Sequence, residues 1–514
     1  MDTAVIHRRR WATLGVLCVS LLIIGLDNTV LNVALATLQR ELDATAGQLQ
    51  WIVDSYTLAF AGLLLLAGAW GDKYGRRKAL LIGLVVFGAS SLWAALCESP
   101  EQLIAARAVM GVGAALIMPS TLSILTNSFT NQKERKSAIG IWAGVSGIGI
   151  AAGPALGGYL LDHFDWSSVF YINVFVVVAG IVGALLIVPE SRDAHAPKLD
   201  LVGGLLSVIG LVALVWAIIE APGAGWGATK VVVGFGVAAV TLVAFAVWEL
   251  RHPYPMLDMR FFANRRFSVP AIAVTLVFFV LMGSAFFLSI HLQTVMGYDA
   301  LEAGLRIMPI AAGLVFGAPL AMAIAQKVGE KIPVVFGLVL LAASFWVIAG
   351  TQVDSGYGRV LTAVLIMGFG MSFAMAPATE AVMGSLPIEK AGVGSAVNDA
   401  VRQIGGALGV AVLGSIINSV YRHKMVDATA GLSAQAQDMA KDNVQGAMQV
   451  AAAPGMPPQA GGQLTGTAFQ AFVDGLHVVA WVSVALCVIG ALVAAVWLPA
   501  HAAVAEEPEL VEVK

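Results

Sequence analysis

Residues 110–121 read MGVGAALIMPST, and residues 367–379 read MGFGMSFAMAPAT. The order Met-Gly-x-Gly, then Met and Pro, then Thr recurs with one inserted residue. Each copy lies in a long apolar run, and each run is the fourth in a group of six. The sequence therefore predicts two six-helix halves built on one plan.

Composition places the chain in a membrane. It has 514 residues, of which 59% are hydrophobic and only 12% charged, whereas a soluble chain carries about 25% charged residues. The net charge of −3 is too small to attract nucleic acid. The three cysteines, Cys18, Cys97 and Cys487, lie far apart in apolar runs, so the sequence predicts neither a disulfide framework nor a metal site.

Spanning helices account for most of the chain. A helix needs about 20 mostly apolar residues to cross a bilayer. The first run follows the basic stretch HRRR, but it is longer than a signal-peptide core and no A-x-A cleavage site closes it, so we interpret it as a retained helix. Fourteen spans are predicted, near residues 11–37, 48–70, 79–97, 102–127, 136–161, 167–188, 201–220, 230–249, 267–290, 302–325, 332–350, 360–384, 393–420 and 469–498.

These spans divide the chain into parts. Six lie in residues 1–190 and six in residues 266–500, with two inserted spans in residues 191–265 and a tail at 501–514. The longest connection, 422–468, is rich in Ala, Gln and Gly and has too few large apolar residues to cross a bilayer. We expect it to be an external loop that is partly helical or mobile.

The distribution of basic residues predicts the orientation. An even number of spans puts both termini on one side. That side carries 20 of the 29 Lys and Arg residues, the other side carries 6, and three fall within spans. Because positive residues mark the cytoplasmic side, both termini are predicted to be cytoplasmic.

Four motifs point to one family. GAWGDKYGRRK (68–78) lies between spans two and three, RAVMGVG (107–113) in span four and GIAAGPALGG (149–158) in span five, while LDNTVLNVAL (26–35) and WIVDSYTL (51–58) lie in the first two spans. With these motifs the chain resembles the major facilitator superfamily and, within it, the fourteen-helix drug:proton antiporters. The resemblance implies an all-α membrane protein of two six-helix bundles plus two additional central helices.

The loop motif is the most specific of the four. The resemblance assigns a gating role to Gly68, Asp72, Gly75, Arg76 and Arg77. Asp72 beside two arginines can bridge helix ends across the halves, and Gly75 permits a tight turn. The alternative is a basic anchor on the cytoplasmic side.

Span four carries Arg107 several residues inside an apolar run. An arginine at that depth needs a carboxylate or carbonyl partner. The resemblance implies a part in proton coupling; a structurally paired or snorkelling arginine is the alternative.

Span five carries a glycine stripe. Gly149, Gly153 and Gly157 recur at i, i+4 and permit close approach of a neighbouring backbone, and Pro154 frees a carbonyl and permits a bend. The resemblance associates this motif with export, although helix packing alone also explains such a stripe.

The acidic residues within the spans include Asp27, Asp54, Glu380 and Asp399. Apolar surroundings disfavour the charged form of a carboxyl group, so such groups can hold and release protons near neutral pH. The resemblance implies that these acids, with Arg107, bind protons or substrate.

Plainer explanations exist for each acid. Asp27 can belong to a polar cluster with Asn28 and Asn32, and Asp54 lies near the outer end of its span. Glu380 can approach the cytoplasmic end of its helix.

Asp399 can form a local ion pair with Arg402, three residues further on. Three aromatic residues near the acids, Trp51, Tyr56 and Trp142, could contact a lipophilic cation through their rings, and packing is the alternative for each.

The resemblance implies a proton-coupled antiporter that exports lipophilic, often cationic drugs, dyes or antiseptics by alternating access. It also implies a monomer in the cytoplasmic membrane of a bacterium, with protons as the coupling ion and no cofactor. A dedicated exporter of a single antibiotic or metabolite, or an inward facilitator, remains an alternative. An enzyme is not expected, because the chain contains no H-E-x-x-H, G-x-S-x-G or G-x-x-x-x-G-K-[ST] motif.

Overall fold

The computed structural model describes residues 3–42, 44, 46–193, 199–253 and 255–499. This part of the chain is mostly helical, and it includes no strand. The predicted tail, 501–514, lies outside the described residues. The α-helices are α1 Thr3–Glu41, α2 Ala46–Tyr74, α3 Arg76–Ala95, α4 Pro100–Ser128, α5 Gln132–His163, α6 Ser168–Leu186, α7 Leu201–Ala224, α8 Thr229–Arg251, α9 Arg265–Ile290, α10 Ala300–Ile307, α11 Pro309–Val328, α12 Lys331–Ala349, α13 Tyr357–Gly384, α14 Ala391–Thr429, α15 Ala434–Asp442, α16 Val444–Ala451 and α17 Pro458–Trp497.

Each predicted span except 302–325 coincides with a single long helix. Within the described residues, thirteen helical segments are long and apolar enough to cross a membrane. Helix α5 is not among them, although its 32 residues exceed the length that a span requires. The protein is therefore an all-α, multi-pass membrane protein, as predicted.

One predicted span is divided. Residues 302–325 were expected to form a single helix, but α10 ends at Ile307 and α11 begins at Pro309. Proline lacks a backbone N–H and fits the first position of a helix better than its interior. The break at Met308 follows from this restriction.

Local capping residues fix several helix starts. Ser99 accepts a hydrogen bond from the backbone N–H of Gln102 ahead of α4, which has Pro100 in its first turn. Asn131 accepts from Lys133 and Glu134 at the start of α5. These side chains satisfy amides that the helix itself leaves unpaired.

The repeated motif packs α4 against α2 and α3. Gly111 approaches the backbone of Tyr56 in α2, and Gly113 approaches the backbone of Phe87 in α3. Because the two glycines lie two residues apart, they face different neighbours, and α4 packs closely against both.

The second copy packs α13 in the same way. Gly368 approaches the backbone of Ile310 in α11, and Gly370 approaches the backbone of Leu341 in α12. The first glycine of each copy thus faces the second helical position of its half and the second glycine faces the third. The internal repeat in the sequence is a repeat in packing.

Several pairs of helices join the halves, and besides the two described next, α4 packs against α14 and α5 packs against α10 and α13. Helix α5 packs against α11, and α2 packs against α14. The inserted helix α7 packs against α8 and also against α2 and α14, so it contacts both halves. We call the end of the bundle where α2 ends and α3 begins the Asp72 end, and the other the far end.

The connection predicted at 422–468 is largely helical. Helix α14 continues to Thr429, α17 begins at Pro458, and the short helices α15 and α16 lie between them. Helices therefore make up most of residues 422–468.

We predict that Gly113→Ala lowers the melting temperature of the purified protein by several degrees. A Cβ atom there would lie 2.8 Å from the backbone nitrogen of Phe87, and such overpacking costs about 1 to 3 kcal/mol. Differential scanning fluorimetry in detergent measures the change.

Gly15→Ala is the matched control, because a Cβ atom at Gly15 of α1 would meet nothing within 4 Å. It should melt at or above the wild-type temperature. Equal losses in both variants would contradict the packing described for the repeat.

Candidate functional site

Asp27 and Arg107 form a buried ion pair in the first half. Arg107 Nη1 of α4 donates to Asp27 Oδ2 of α1 at 2.5 Å, and both side chains are at most 2% exposed. Asn173 Nδ2 of α6 donates to Asp27 Oδ1 at 2.9 Å. Arg107 Nε also donates to the carbonyl of Ile52 in α2 at 3.2 Å. Helices α4 and α6 therefore both contact the carboxylate of α1, and α2 contacts the arginine that pairs with it.

This cluster supplies the partner that Arg107 requires. Removing one member of a buried ion pair leaves an uncompensated charge and costs about 3 to 5 kcal/mol. Among the described side chains, the hydrogen-bond partners of Asp27 are Arg107 and Asn173. The side chain of Asn32 lies outside the described residues.

A second buried ion pair lies in the other half. Arg402 Nη1 and Asp399 Oδ1 of α14 are 3.3 Å apart, three residues apart on one helix. Arg402 Nη2 donates to Ser146 Oγ of α5 at 3.2 Å, which connects this pair to the first half. The Phe278 ring of α9 lies 4.6 Å from the guanidinium. The local pairing considered for Asp399 is thus present.

Glu380 is also buried, and its partner comes from the first half. Arg135 Nη2 of α5 donates to Glu380 Oε1 of α13 at 3.0 Å. Beside it, Lys136 Nζ donates to Glu330 Oε1 at 2.7 Å, and Arg266 Nη2 lies 3.5 Å from Glu330 Oε2. These pairs join α5 to α13 and α12 at the Asp72 end.

Asp72 bridges the halves at the same end. Its two carboxylate oxygens accept from the backbone N–H groups of Gly392 at 2.9 Å and Val393 at 3.1 Å, in the first turn of α14. A carboxylate is stabilised there because unpaired amides and the helix dipole favour negative charge. Arg76 Nε donates to Asp72 at 2.8 Å, and Arg76 Nη2 donates to the carbonyl of Glu389 at 2.9 Å.

The glycines of the loop motif permit this geometry. Gly75 has a φ of 125°, a region that residues with a side chain rarely adopt. A Cβ atom at Gly68 would lie 2.6 Å from the carbonyl oxygen of Gly392, so only glycine allows α2 this close to α14. Arg77 Nη1 donates to the carbonyl of Val188 at 3.2 Å and remains within its own half.

Helix α5 has glycines on two faces. Gly149 faces the backbone of α1, Gly153 faces Thr29 and Gly157 faces Val30. This is the close approach that the stripe predicted.

The other face of α5 packs against α11. Gly140 faces Met322 and Gly147 faces Leu314. The sequence analysis did not separate these two faces of α5. Pro154 lies on α5, and its side chain lies outside the described residues.

The aromatic candidates lie in three different environments. The Tyr56 ring lies 4.3 Å from the guanidinium of Arg107, and the Trp142 ring lies 5.6 Å from that of Arg402. Trp51 is 45% exposed. Two of the three rings therefore contact a cation of the protein itself.

Asp54 lies apart from both buried ion pairs. It is half-buried in α2, with a hydrogen bond to Gln50 of its own helix and the Glu220 carboxylate of α7 nearby. Sequence reasoning missed Asn173, Ser146 and the Glu330 cluster. A polar residue inside an apolar run, as Asn173 is in span six, is the signal that could have found the first of these.

Two repeated helical halves with buried ion pairs, held together at one end, form the architecture of a secondary transporter. The chain belongs to the Major Facilitator Superfamily, whose family model matches residues 17–410.

Several curated relatives cover nearly the whole chain. It is 32% identical to the tetracenomycin C resistance and export protein of Streptomyces glaucescens, over 95% of this chain and 91% of that protein. It is 35% identical to the multidrug efflux pump LfrA of Mycolicibacterium smegmatis, over 95% and 96%. It is 31% identical to the methyl viologen resistance protein SmvA of Salmonella typhimurium, over 90% and 93%.

A solved structure shares the fold. The human organic anion transporter MFSD10 (TETRAN) superposes with a TM-score of 0.60, covering 93% of this chain and 99% of that one. At 14% identity, this likeness concerns the fold alone.

We predict that Asp72→Asn loosens the Asp72 end. An amide accepts with one oxygen only and carries no charge, so at least one bond to α14 is lost. Spin labels at Lys78→Cys in α3 and Lys327→Cys in α11, both exposed positions in different halves, report the separation by double electron–electron resonance. Longer distances should become more populated.

Glu190→Gln is the control, because Glu190 accepts from the backbone of Arg77 within the first half. Its distance distribution should match that of the unsubstituted, labelled protein. An unchanged distribution in Asp72→Asn would show that the bridge does not hold the halves together.

Proposed function

We propose that this protein is a proton-coupled antiporter that exports lipophilic, often cationic, compounds by alternating access. The observation that carries the proposal is the Asp27–Arg107 pair, buried where α1, α2, α4 and α6 meet. We assign the proton gradient to it as the energy source, and we assign no cofactor.

The ion pair gives a chemical basis for coupling. A proton on Asp27 cancels the negative charge and leaves Arg107 without its counter-ion in a buried position, which is unfavourable. A change of protonation therefore shifts the balance between arrangements of the surrounding helices. A cationic substrate and a proton compete for the same negative charge, and this competition is the basis of exchange.

Alternating access also requires contacts between the halves that can form and break, and the contacts at the Asp72 end are suited to this. Asp72 with α14, Glu380 with Arg135 and Glu330 with Lys136 all cross between the halves. We assign the Asp72 end to the cytoplasm, because 20 of the 29 Lys and Arg residues flank that side. The described conformation is then the one closed toward the cytoplasm.

We further propose two proton sites, Asp27 in the first half and Asp399 in the second. Exchange of one proton for one monovalent cation moves no net charge. A second proton adds about 2.3 kcal/mol per 100 mV of membrane potential, or about fortyfold in the attainable gradient at about 1.4 kcal/mol per decade. Two sites thus let the membrane potential drive export.

The names of the relatives support two ranges of substrate. LfrA is named as a multidrug pump and SmvA for methyl viologen, whereas the Streptomyces glaucescens relative is named for one antibiotic. We favour the multidrug range because the buried acids suit cations of varied shape. Ethidium, a quaternary-ammonium compound and tetracenomycin C, compared in one transport assay, distinguish this range from a dedicated exporter.

We predict that Asp27→Asn lowers proton-driven ethidium uptake into everted vesicles by about tenfold or more, the size of a typical coupling between two binding sites. Asparagine keeps the shape but cannot bind and release the proton. Uptake is followed by fluorescence after energisation with the proton gradient.

Asp354→Asn serves as the control, because Asp354 is an exposed acid between α12 and α13. Its uptake should equal that of the wild type. Absence of ethidium and quaternary-ammonium transport by the wild type would overturn the multidrug proposal, and normal transport by Asp27→Asn would overturn the assignment of Asp27.

We predict that Asp399→Asn abolishes the response to membrane potential while uptake driven by a pH difference persists. In proteoliposomes with an acidic lumen, wild-type exchange of two protons for one ethidium cation moves one positive charge outward. A valinomycin-imposed, lumen-positive potential should therefore accelerate wild-type uptake and leave Asp399→Asn unchanged. Equal acceleration of both proteins would exclude Asp399 as the second proton site.

A further inference from the structure

Four buried polar atoms within residues 380–399, on α13 and the first turns of α14, lack a hydrogen-bond partner among the described residues. They are Glu380 Oε2, Ser395 Oγ, Asn398 Nδ2 and Asp399 Oδ2. Each of these residues is at most 1% exposed. Buried polar atoms are nearly always paired with protein or with ordered water, so four exceptions on two neighbouring helices require an explanation.

These atoms belong to one continuous row. Ser395, Asn398, Asp399 and Arg402 are spaced i, i+3, i+4 and i+7, which places them on one face of α14 over about 10 Å at about 1.5 Å per residue. Thr379 Oγ1 of α13 donates to Asn398 Oδ1 at 3.4 Å, which joins the two helices.

The row connects the buried ion pair to the Asp72 end. At its deep end Asp399 faces Arg402, with Met375 and the rings of Trp142 and Phe278 around the guanidinium.

At its other end Glu380 lies next to Thr379 in the chain and pairs with Arg135. The charges of Lys136 and Glu330 also act on Glu380. Every charged group that faces either acid is therefore in one of these two clusters.

The corresponding helix of the first half is different. Ser120, Thr121, Ser123 and Thr126 of α4 are buried, and each donates to a carbonyl of α4. Thr121 occupies the position of Thr379 in the repeated motif and also accepts from Trp142. Among the described residues of α4 and α5, the counterparts of α13 and α14, no buried polar side-chain atom lacks a hydrogen-bond partner.

We propose that the α13–α14 row holds a file of water molecules and is the route by which a proton passes between Asp399 and the Asp72 end. Polar atoms with free hydrogen-bonding capacity can hold buried water when two to four of them are within reach. The proton leaves the Asp399 carboxyl for the first water, each water passes on one proton as it receives another, and the last gives its proton to the Glu380 carboxylate. No electron moves and no other reactant is needed.

This route rests on the proposed proton coupling and makes a separate prediction. If the row carries the proton of Asp399, breaking the row should reproduce Asp399→Asn without touching that residue. Thr379→Val and Asn398→Leu remove a hydroxyl and an amide from the row. Thr379→Ser retains the hydroxyl, and Thr126→Val removes a buried, internally paired hydroxyl from α4.

The experiment measures ethidium uptake by purified protein in proteoliposomes, with an acidic lumen and with or without a lumen-positive potential. Thr379→Val and Asn398→Leu should lose the acceleration by potential, while uptake driven by the pH difference alone stays within about twofold of the wild type. Thr379→Ser and Thr126→Val should behave as wild type.

If a lumen-positive potential still accelerates ethidium uptake by Thr379→Val, the proposed proton route is wrong, whereas the proposed transport function stands. Loss of both modes of uptake in Thr379→Val, with Thr379→Ser active, would assign the row a structural role and equally overturn it. Wild-type protein that transports no ethidium would instead overturn the proposed function. If Asn398→Leu fails to fold, the comparison of Thr379→Val with Thr379→Ser still decides.

Discussion

A charged side chain inside an apolar helical bundle must have a partner, and this requirement organises the protein. Asp27 pairs with Arg107 and Asp399 pairs with Arg402 within their own halves. Glu380 and Glu330 pair with basic residues of α5 in the other half. Pairs within a half can persist when the halves rock against each other, whereas pairs between halves must break. In the proposed mechanism, an ion pair within one half can therefore bind a proton, whereas an ion pair between the halves keeps the Asp72 end closed.

Close backbone contact at glycine makes these pairs possible. The M-G-x-G motifs bring α4 and α13 against two neighbours each, and Gly68 lets α2 approach the first turn of α14. At that distance the Asp72 carboxylate reaches two amide groups directly. A larger residue at Gly68 would separate the helices and remove the acceptor from its donors. At the Asp72 end, the hydrogen bonds of the Asp72 carboxylate therefore depend on the close packing of α2 against α14.

The sequence predicts the helices and the kind of interaction far better than the identity of the partners. Apolar length predicts the long helices, and the motif spacing predicts the close glycine contacts. The sequence also indicates that Arg107 needs a carboxylate or carbonyl partner, because its depth inside an apolar span can be read from the span alone. It does not indicate that Arg135 is the partner of Glu380, since these residues are 245 positions apart and only the packing of α5 against α13 brings them together. Pro309 could have predicted the break between α10 and α11, but the apolar residues on both sides of it suggested one continuous span.

Helix α5 is fixed to α1 through Gly149, Gly153 and Gly157 and lies against α11 through Gly140 and Gly147. The first contact is internal to a half, and the second is a surface on which the two halves can turn. Helix α5 therefore both packs within the first half and forms a contact surface with the second half. In the proposed mechanism, a compound bound between α5 and α11 would stop alternating access without binding at Asp27 or Asp399. Resistance to such a compound would arise from substitutions on these two helix faces, away from the proposed substrate site.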